Sequence, residues 1–289
     1  CTKTERIKKD GTKEIITSNW YYNHEFDDSE LRMMIDSILF SKTIPAGQAS
    51  ELIKKIAGLS NIYFTNKMTH VSSLPGLEHT SNQQTLYNVG LIDDAISEKK
   101  QISFVYNNYW EDKKLHPRRE EPYIVNPYQM VANDGKYYLV CNYDKYDTLS
   151  NYRVDKMTQV KIINKPAKKR DKVKGMEHGL NLPKHMAEHI YMFADEPVTI
   201  ILRVKKSAIS DIVDWFGSNF DVVDESIARQ YEGFRETTDA VTYVRLVCSR
   251  QAMSHWAMQY GTSVEVIYPT ELRTQIGEAV KEMNNRYND

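Results

Sequence analysis

Two groups of residues in this sequence have the types and spacing to do chemistry. The first is His185-Met-Ala-Glu188-His189. Imidazoles at i and i+4 on a helix reach one zinc ion, and a glutamate between them activates water, which is the pattern of the inverted zinc proteases. A catalytic zinc also needs a third protein ligand, and the downstream sequence offers no convincing one. The alternative is a polar, surface-facing side of a short helix from Met186 to Phe193. The second group is a set of tyrosines interleaved with cations: Tyr128, Tyr137, Arg118, Arg119, Arg153 and Lys156. Tyrosine rings beside arginine hold a base or another π-face, and the guanidinium grips phosphate through charge-assisted hydrogen bonds. Arg153 alternates with Tyr152 and Val154, so if that apolar pair faces a core, the guanidinium faces out. Tyr137 is free to point to either face. The alternative here is a tyrosine-rich core with an ordinary surface arginine paired to Asp155.

The commoner catalytic signatures are missing. There is no G-x-S-x-G, no phosphate-binding Walker loop, no G-x-G-x-x-G and no C-x-x-C. No catalytic residue, metal or cofactor is assigned, and the chain reads as a binding module rather than an enzyme.

The elements that position these groups follow from periodicity. Residues 5 to 22 predict a hairpin turning at Asp10-Gly11, with Lys8, Lys9 and Lys13 at its tip. A helix capped by Asp28 or Ser29 carries Leu31, Met34, Ile35, Ile38 and Leu39 on one face, and a second from about Ala46 carries Leu52, Ile53, Ile56 and Leu59. Residues 60 to 84 read as a linker, and Thr85 to Lys99 as a short helix. From 102 to 163 five short, tyrosine-rich strand signals follow one another, with Asn133-Asp134-Gly135 as a turn. Strands so short must close or nearly close on themselves to protect their edges, which predicts an SH3-like or Sm-like β-barrel. The basic run from Lys165 to Lys174 reads as a solvated linker. Beyond it, strand, helix, strand, strand, helix, strand, helix predicts a ferredoxin-like layer. In it, Val198, Ile200, Leu202 and Val204 point inward from the first strand, Ile209, Ile212, Val213 and Phe216 share a helix face, and Gly261 ends the second helix.

The fold class is therefore α+β in five segments: a hairpin (1–22), a helical pair (23–84), a barrel (85–165), a linker with a short helix (166–195) and a C-terminal α+β domain (196–289). Composition bounds what these can do. The 289 residues hold 38 Lys+Arg against 39 Asp+Glu, so any nucleic-acid site must be local. Three cysteines, Cys1, Cys141 and Cys248, suit a reducing cytosol rather than a disulfide framework. No run approaches the ~18 apolar residues of a membrane span, so the expected location is the cytoplasm.

The strand pair Lys136-Tyr137-Tyr138-Leu139 and Asn151-Tyr152-Arg153-Val154-Asp155-Lys156 resembles the signature of WYL-domain transcriptional regulators. There an aromatic-Tyr-Leu strand is followed by a Phe- or Tyr-Arg-x-Asp-Arg strand. Tyr137 stands where the name-giving tryptophan would be, and Lys156 where a second arginine is usual; a lysine is a point charge without the bidentate fork. The resemblance runs through about 60 residues in order and spacing, and extends by architecture over nearly the whole chain. It implies a bacterial regulator whose barrel senses a nucleotide or single-stranded nucleic acid at Arg153, Lys156, Tyr137, Tyr128, Arg118 and Arg119. It also implies a homodimer and an N-terminal winged helix that binds DNA. The hairpin would be that winged helix's wing, touching phosphate through Lys8, Lys9 and Lys13, with the recognition helix lying before this sequence. A rival reading is an RNA-binding or adaptor barrel, and a third is a zinc metallohydrolase using His185, Glu188 and His189.

Overall fold

Asp10 and Gly11 turn the chain back between β1 (Thr2–Ile7) and β2 (Lys13–Ser18), which pair antiparallel from Thr2 opposite Ser18 to Ile7 opposite Lys13. Gly11 takes φ of +80°, and Asp10 Oδ1 accepts bonds from the Thr12 amide and hydroxyl, so the turn rests on the conformational freedom of glycine and a local side-chain bond. The computed structural model describes residues 1–18, 25–60, 64, 80–236 and 238–288, so the end of the expected hairpin and most of the expected linker lie outside the described residues. The chain divides into two units, one of residues 1–86 with 134–136 and one of residues 87–133 with 137–289.

In the first unit, α1 (Asp28–Phe40) starts one residue earlier than a cap at Asp28 or Ser29 allows. Asp27 is the cap: its carboxylate accepts from the amides of Ser29 and Glu30, and Glu30 returns a bond to the Asp27 amide. Leu31 and Ile35 are buried against Ala57, Ile53 and Ile56 of α2 (Ala46–Ala57), as their spacing predicts.

The second unit begins within the first turn of α3 (Thr85–Ser97), whose Ile92 and Ala95 are fully buried beneath a curled half-barrel sheet. Its strands are β3 (Lys100–Tyr109), β4 (Leu115–Pro117), β5 (Tyr123–Asn133), β6 (Lys136–Asn142), β7 (Ser150–Arg153) and β8 (Met157–Pro166). They run in the order β4-β3-β5-β6-β7, with β8 pairing back onto β3. The sixth strand, β4, has no periodicity of its own; a turn at Lys113, with φ of +60°, folds it onto the end of β3. The β5–β6 turn has positive φ at both Asp134 and Gly135, the backbone a two-residue hairpin requires.

The C-terminal layer contains β9 (Pro197–Lys205), α5 (Ile209–Phe216), β10 (Phe220–Val223), the one-turn α6 (Glu225–Ala228), β11 (Val241–Ser249), α7 (Arg250–Gln259), β12 (Val264–Tyr268) and α8 (Thr270–Asn288). The strand order is β10-β11-β9-β12 with every neighbour antiparallel, so the fold as a whole is α+β. Ile200, Leu202 and Val204 pack on the helical face as predicted, but Ile201 is equally buried on the other face, against Val223, Ala228 and Ile267. That second core explains a continuous apolar run where alternation would suffice for a one-sided sheet. Two finer expectations fail. Val213 is exposed, because so short a helix buries only Ile212 and Phe216 deeply while Trp215 reaches across to donate to the Tyr260 hydroxyl. Tyr260, rather than Gly261, caps α7, and Gly261 does not take a left-handed conformation.

Candidate ligand site

Pairing of β6 with β7 decides which residues share a face. Tyr138 lies opposite Arg153 and Leu139 opposite Tyr152, and residues directly opposite in an antiparallel ladder point to the same side. Tyr138, therefore, is the aromatic that accompanies Arg153. Tyr137 alternates to the other side at the start of the strand and is exposed. Only the register carries this distinction, which is why sequence spacing left Tyr137 open and passed over Tyr138.

Arg153 is half-buried and gives a two-pronged ion pair to Asp155, Nε to Oδ1 at 3.0 Å and Nη2 to Oδ2 at 2.6 Å. The Asp155 carboxylate is 2% exposed, so Arg153 has the partner that the alternative reading gave it, but in a partly desolvated pair and not as an ordinary surface arginine. Burial works against the arginine's charge, but the Asp155 bonds prevail and raise its pKa. Two residues apart in sequence, they meet because β7 ends in a single 3-10 turn, Val154–Lys156, which swings Asp155 back under the guanidinium. Val154 is buried and Lys156 half-buried at the end of that turn; the Lys156 carbonyl accepts from Asn107.

Behind Arg153 lies a cluster of rings. Its backbone amide donates to the Tyr106 hydroxyl at 3.4 Å, and Tyr106 meets Tyr152 edge-on at 4.8 Å between centroids. Tyr123 stacks on Phe104 at 5.5 Å, and the Arg119 guanidinium sits 3.7 Å over the Tyr123 ring while donating to the Glu121 and Pro122 carbonyls. Burial pushes the Tyr106 hydroxyl up to about 12 and that of Tyr152 higher still. Arg119 and Arg153 thus flank one aromatic cluster, a relation that sequence separation hides. Arg118 is exposed beside it, its amide bonded to the Tyr106 carbonyl.

Tyr128 does not join this group. It is 3% exposed and packs with Val173 and Met176, its hydroxyl donating to the Asn142 side chain and the Lys168 carbonyl. The run from Lys165 to Lys174 is largely solvated, with Lys165, Lys169, Arg170, Lys172 and Lys174 exposed, and it is also tied down by side-chain contacts. Lys165 pairs with Asp144, Lys168 with Asp147, Lys174 with Glu196, and Arg170 donates to the Tyr128 carbonyl. Acidic residues distant in sequence tether these cations, Lys165 and Lys174 while still exposed, which a local charge count does not show. In the hairpin, Lys8 and Lys13 lie beside Glu14 and Glu5, and Lys9 is exposed in the turn.

The histidines of the H-x-x-E-H segment are not on a surface. Helix α4 (Leu182–Glu188) is capped by Asn181, ends before His189, and buries both imidazoles, with ring centroids 4.5 Å apart. His189 Nδ1 donates to the Phe193 carbonyl at 2.7 Å. Burial, with the neighbouring His189, pushes His185 down to about 4. Glu188 lies 3.7 Å from Lys184, and among the described residues no three His, Cys, Asp or Glu side chains gather as a metal site. Nor is any described helix long and apolar enough to cross a membrane.

A half-barrel with this strand pair, followed by a four-stranded antiparallel layer, defines a recognised class. Residues 88–162 match the WYL domain and residues 196–283 match the WCX domain. The chain is a WYL-domain protein in which a WCX domain follows the WYL domain. Among solved structures it is similar to proteasome accessory factor B/C (PafBC) of Arthrobacter aurescens, at 14% identity and a TM-score of 0.32 over 91% of this chain. It spans 37% of the length of that protein. It is also similar to a CRISPR Cas-related protein, at 13% identity and a TM-score of 0.45, covering 92% of this chain and 75% of the other. No curated protein matches it.

Proposed function

We propose that this chain is the sensing part of a ligand-responsive transcriptional regulator. A nucleotide or single-stranded nucleic acid would bind the WYL face and control DNA binding by an N-terminal winged helix. The observation that carries this reading is the WYL match over residues 88–162, a range that includes the β6–β7 pair with Tyr138 opposite Arg153 and the turn that ends at Lys156. Arg119 over Tyr123 adds a second cation beside π-faces. The β1–β2 hairpin supports a wing, with Lys9 in its turn offering a phosphate contact. A ferredoxin-like C-terminal layer is supported by the antiparallel order β10-β11-β9-β12, and a homodimer by the symmetry of most operators. Free Cys141 and Cys248, both buried, suit a cytoplasmic protein. The absence of an assigned catalytic group is part of the same reading.

A binding screen tests it. Short single-stranded DNA and RNA and a panel of nucleotides are titrated at fixed ionic strength, because phosphate contacts weaken steeply with salt. Saturable binding of one of them that Arg153→Ala weakens supports the reading; binding indifferent to Arg153 places the ligand elsewhere. Preference for RNA, with no effect on operator binding by a protein that carries the winged helix, would favour the RNA-binding alternative.

A further inference from the structure

The register of the C-terminal sheet places Glu265 of β12 and Tyr243 of β11 on either side of Arg203 of β9, and residues opposite one another in a ladder share a face. Two more arginines reach that face from outside the sheet. Arg235 comes from the segment after α6, which the Tyr243 hydroxyl pins by accepting from the Arg235 amide at 3.1 Å and donating to its carbonyl at 2.6 Å. Arg273 comes from the start of α8, and its Nη1 donates to the Val266 carbonyl at 2.7 Å. Gly233 makes room for it: a Cβ there would lie 2.9 Å from the Arg273 guanidinium.

Three guanidiniums thus meet one carboxylate. Glu265 Oε1 accepts from Arg273 Nη2 at 2.8 Å and from Arg235 Nη2 at 3.1 Å, while Arg203 Nη1 stands 3.9 Å from Oε2. Among the described residues no other carboxylate pairs with any of the three. Arginine keeps its charge at any working pH, so Glu265 cancels one charge and two remain. Gathering like charges costs free energy unless an anion completes the group. The Arg203, Arg235 and Arg273 side chains are 22%, 62% and 31% exposed, so a solute can reach all three. Donors remain as well. Each guanidinium has five N–H groups, of which Arg235 commits one and Arg203 none to a hydrogen bond with a described residue.

The anion that matches this group carries two charges and offers oxygens in more than one plane, because the three forks arrive from a strand, a loop and a helix. A tetrahedral phosphate dianion does both, and arginine forks fit its edges. We propose that Arg203, Arg235 and Arg273 bind a phosphate dianion, free or as the terminal group of a small phosphomonoester. The site lies in the WCX domain, and the inference does not rest on the function proposed for the Arg153 face.

The test titrates inorganic phosphate, glycerol 2-phosphate and dimethyl phosphate calorimetrically into the full chain at pH 8, where a phosphomonoester is a dianion. Ionic strength is held constant with sodium chloride, because salt screens exposed charges. Inorganic phosphate or glycerol 2-phosphate should bind saturably; the first alone assigns the site to the free ion, and the second to a phosphomonoester. Dimethyl phosphate, a monoanion like the backbone of a nucleic acid, should bind at least about tenfold more weakly, since one charge leaves the excess unmatched. Arg235→Ala removes an exposed side chain and should weaken phosphate binding at least about tenfold, the loss of a charge-assisted hydrogen bond. Arg153→Ala should leave it unchanged. No saturation by either dianion, or equal binding of dimethyl phosphate, overturns the proposal on the wild-type protein alone, whether or not the variants fold. So does a folded Arg235→Ala that binds phosphate as the wild type does, which would move the anion elsewhere.

Discussion

Lowering the pH from 7 to 5 should destabilise the second unit through His185, and replacing that one side chain should remove the effect. A histidine in an unfolded chain takes up a proton as the pH falls past its ordinary value of 6.5, whereas burial and the adjacent His189 hold folded His185 neutral to about 4. Between those values the unfolded state binds more protons, so stability is full above pH 6.5 and is lost progressively toward pH 4. Taking each pH unit as about 1.4 kcal/mol, and allowing for partial protonation near 6.5, the loss is about 2 kcal/mol between pH 7 and 5. His189 is pushed down by burial as well, with Glu188 and Asp195 pulling it back, and it contributes in the same direction. The assay is urea unfolding at both pH values, followed by the fluorescence of Trp215 and Trp256 in the C-terminal layer. His185→Phe keeps a ring in the same space without a titrating group, and His189 is common to both proteins. Wild type should lose about 2 kcal/mol more than the variant. Parallel losses would show that His185 is hydrated or already charged in the folded protein, and the argument from its burial would fail.

Arg153→Ala should cost about 3 kcal/mol of stability, measured by denaturant unfolding, because it strips a nearly buried Asp155 of its two-pronged partner. A loss under about 0.5 kcal/mol would mean the pair is effectively solvated. With a ligand in hand, the same variant should bind roughly ten- to a hundredfold more weakly, and Arg153→Lys should recover only part of either loss, since lysine has no planar fork. Asp27→Ala should remove the side-chain half of the capping box of α1, leaving the backbone amide of residue 27 to Glu30, and lower its stability by about 1 kcal/mol, read as earlier loss of amide protection in residues 28–40. A thiol reagent at pH 8 should titrate Cys1 alone in the native protein and all three cysteines in denaturant. Cys141 and Cys248 are buried, and burial pushes the Cys248 thiol up to about 12 and Cys141 further; rapid native labelling of either would contradict that.

Local rules in the sequence were enough for the elements and for the class of the central domain. Asp10-Gly11 and Asp134-Gly135 specify turns because few other residues take positive φ, and Leu31 and Ile35 mark a buried helix face by spacing alone. The Tyr-Leu and Tyr-Arg-x-Asp strands were legible as a pair because each is a contiguous string. What they do to one another was not. Whether Tyr137 or Tyr138 stands beside Arg153 depends on a cross-strand register, and a shift of one residue would exchange them. Tyr128 looked like its neighbours in sequence, yet the packing of Val173 and Met176 over it takes it out of the site. The same holds for charge: Lys165 and Lys174 are exposed as their sequence suggests, but that Asp144 and Glu196 pair with them, and Asp147 with a half-buried Lys168, is decided by the fold. His185 in α4 and His189 just after it show the limit most sharply, since a short helix with a polar side reads as surface. Only the layers that close over it turn His185 into a buried, neutral imidazole, because desolvation belongs to the surroundings of a side chain and not to its position in the chain.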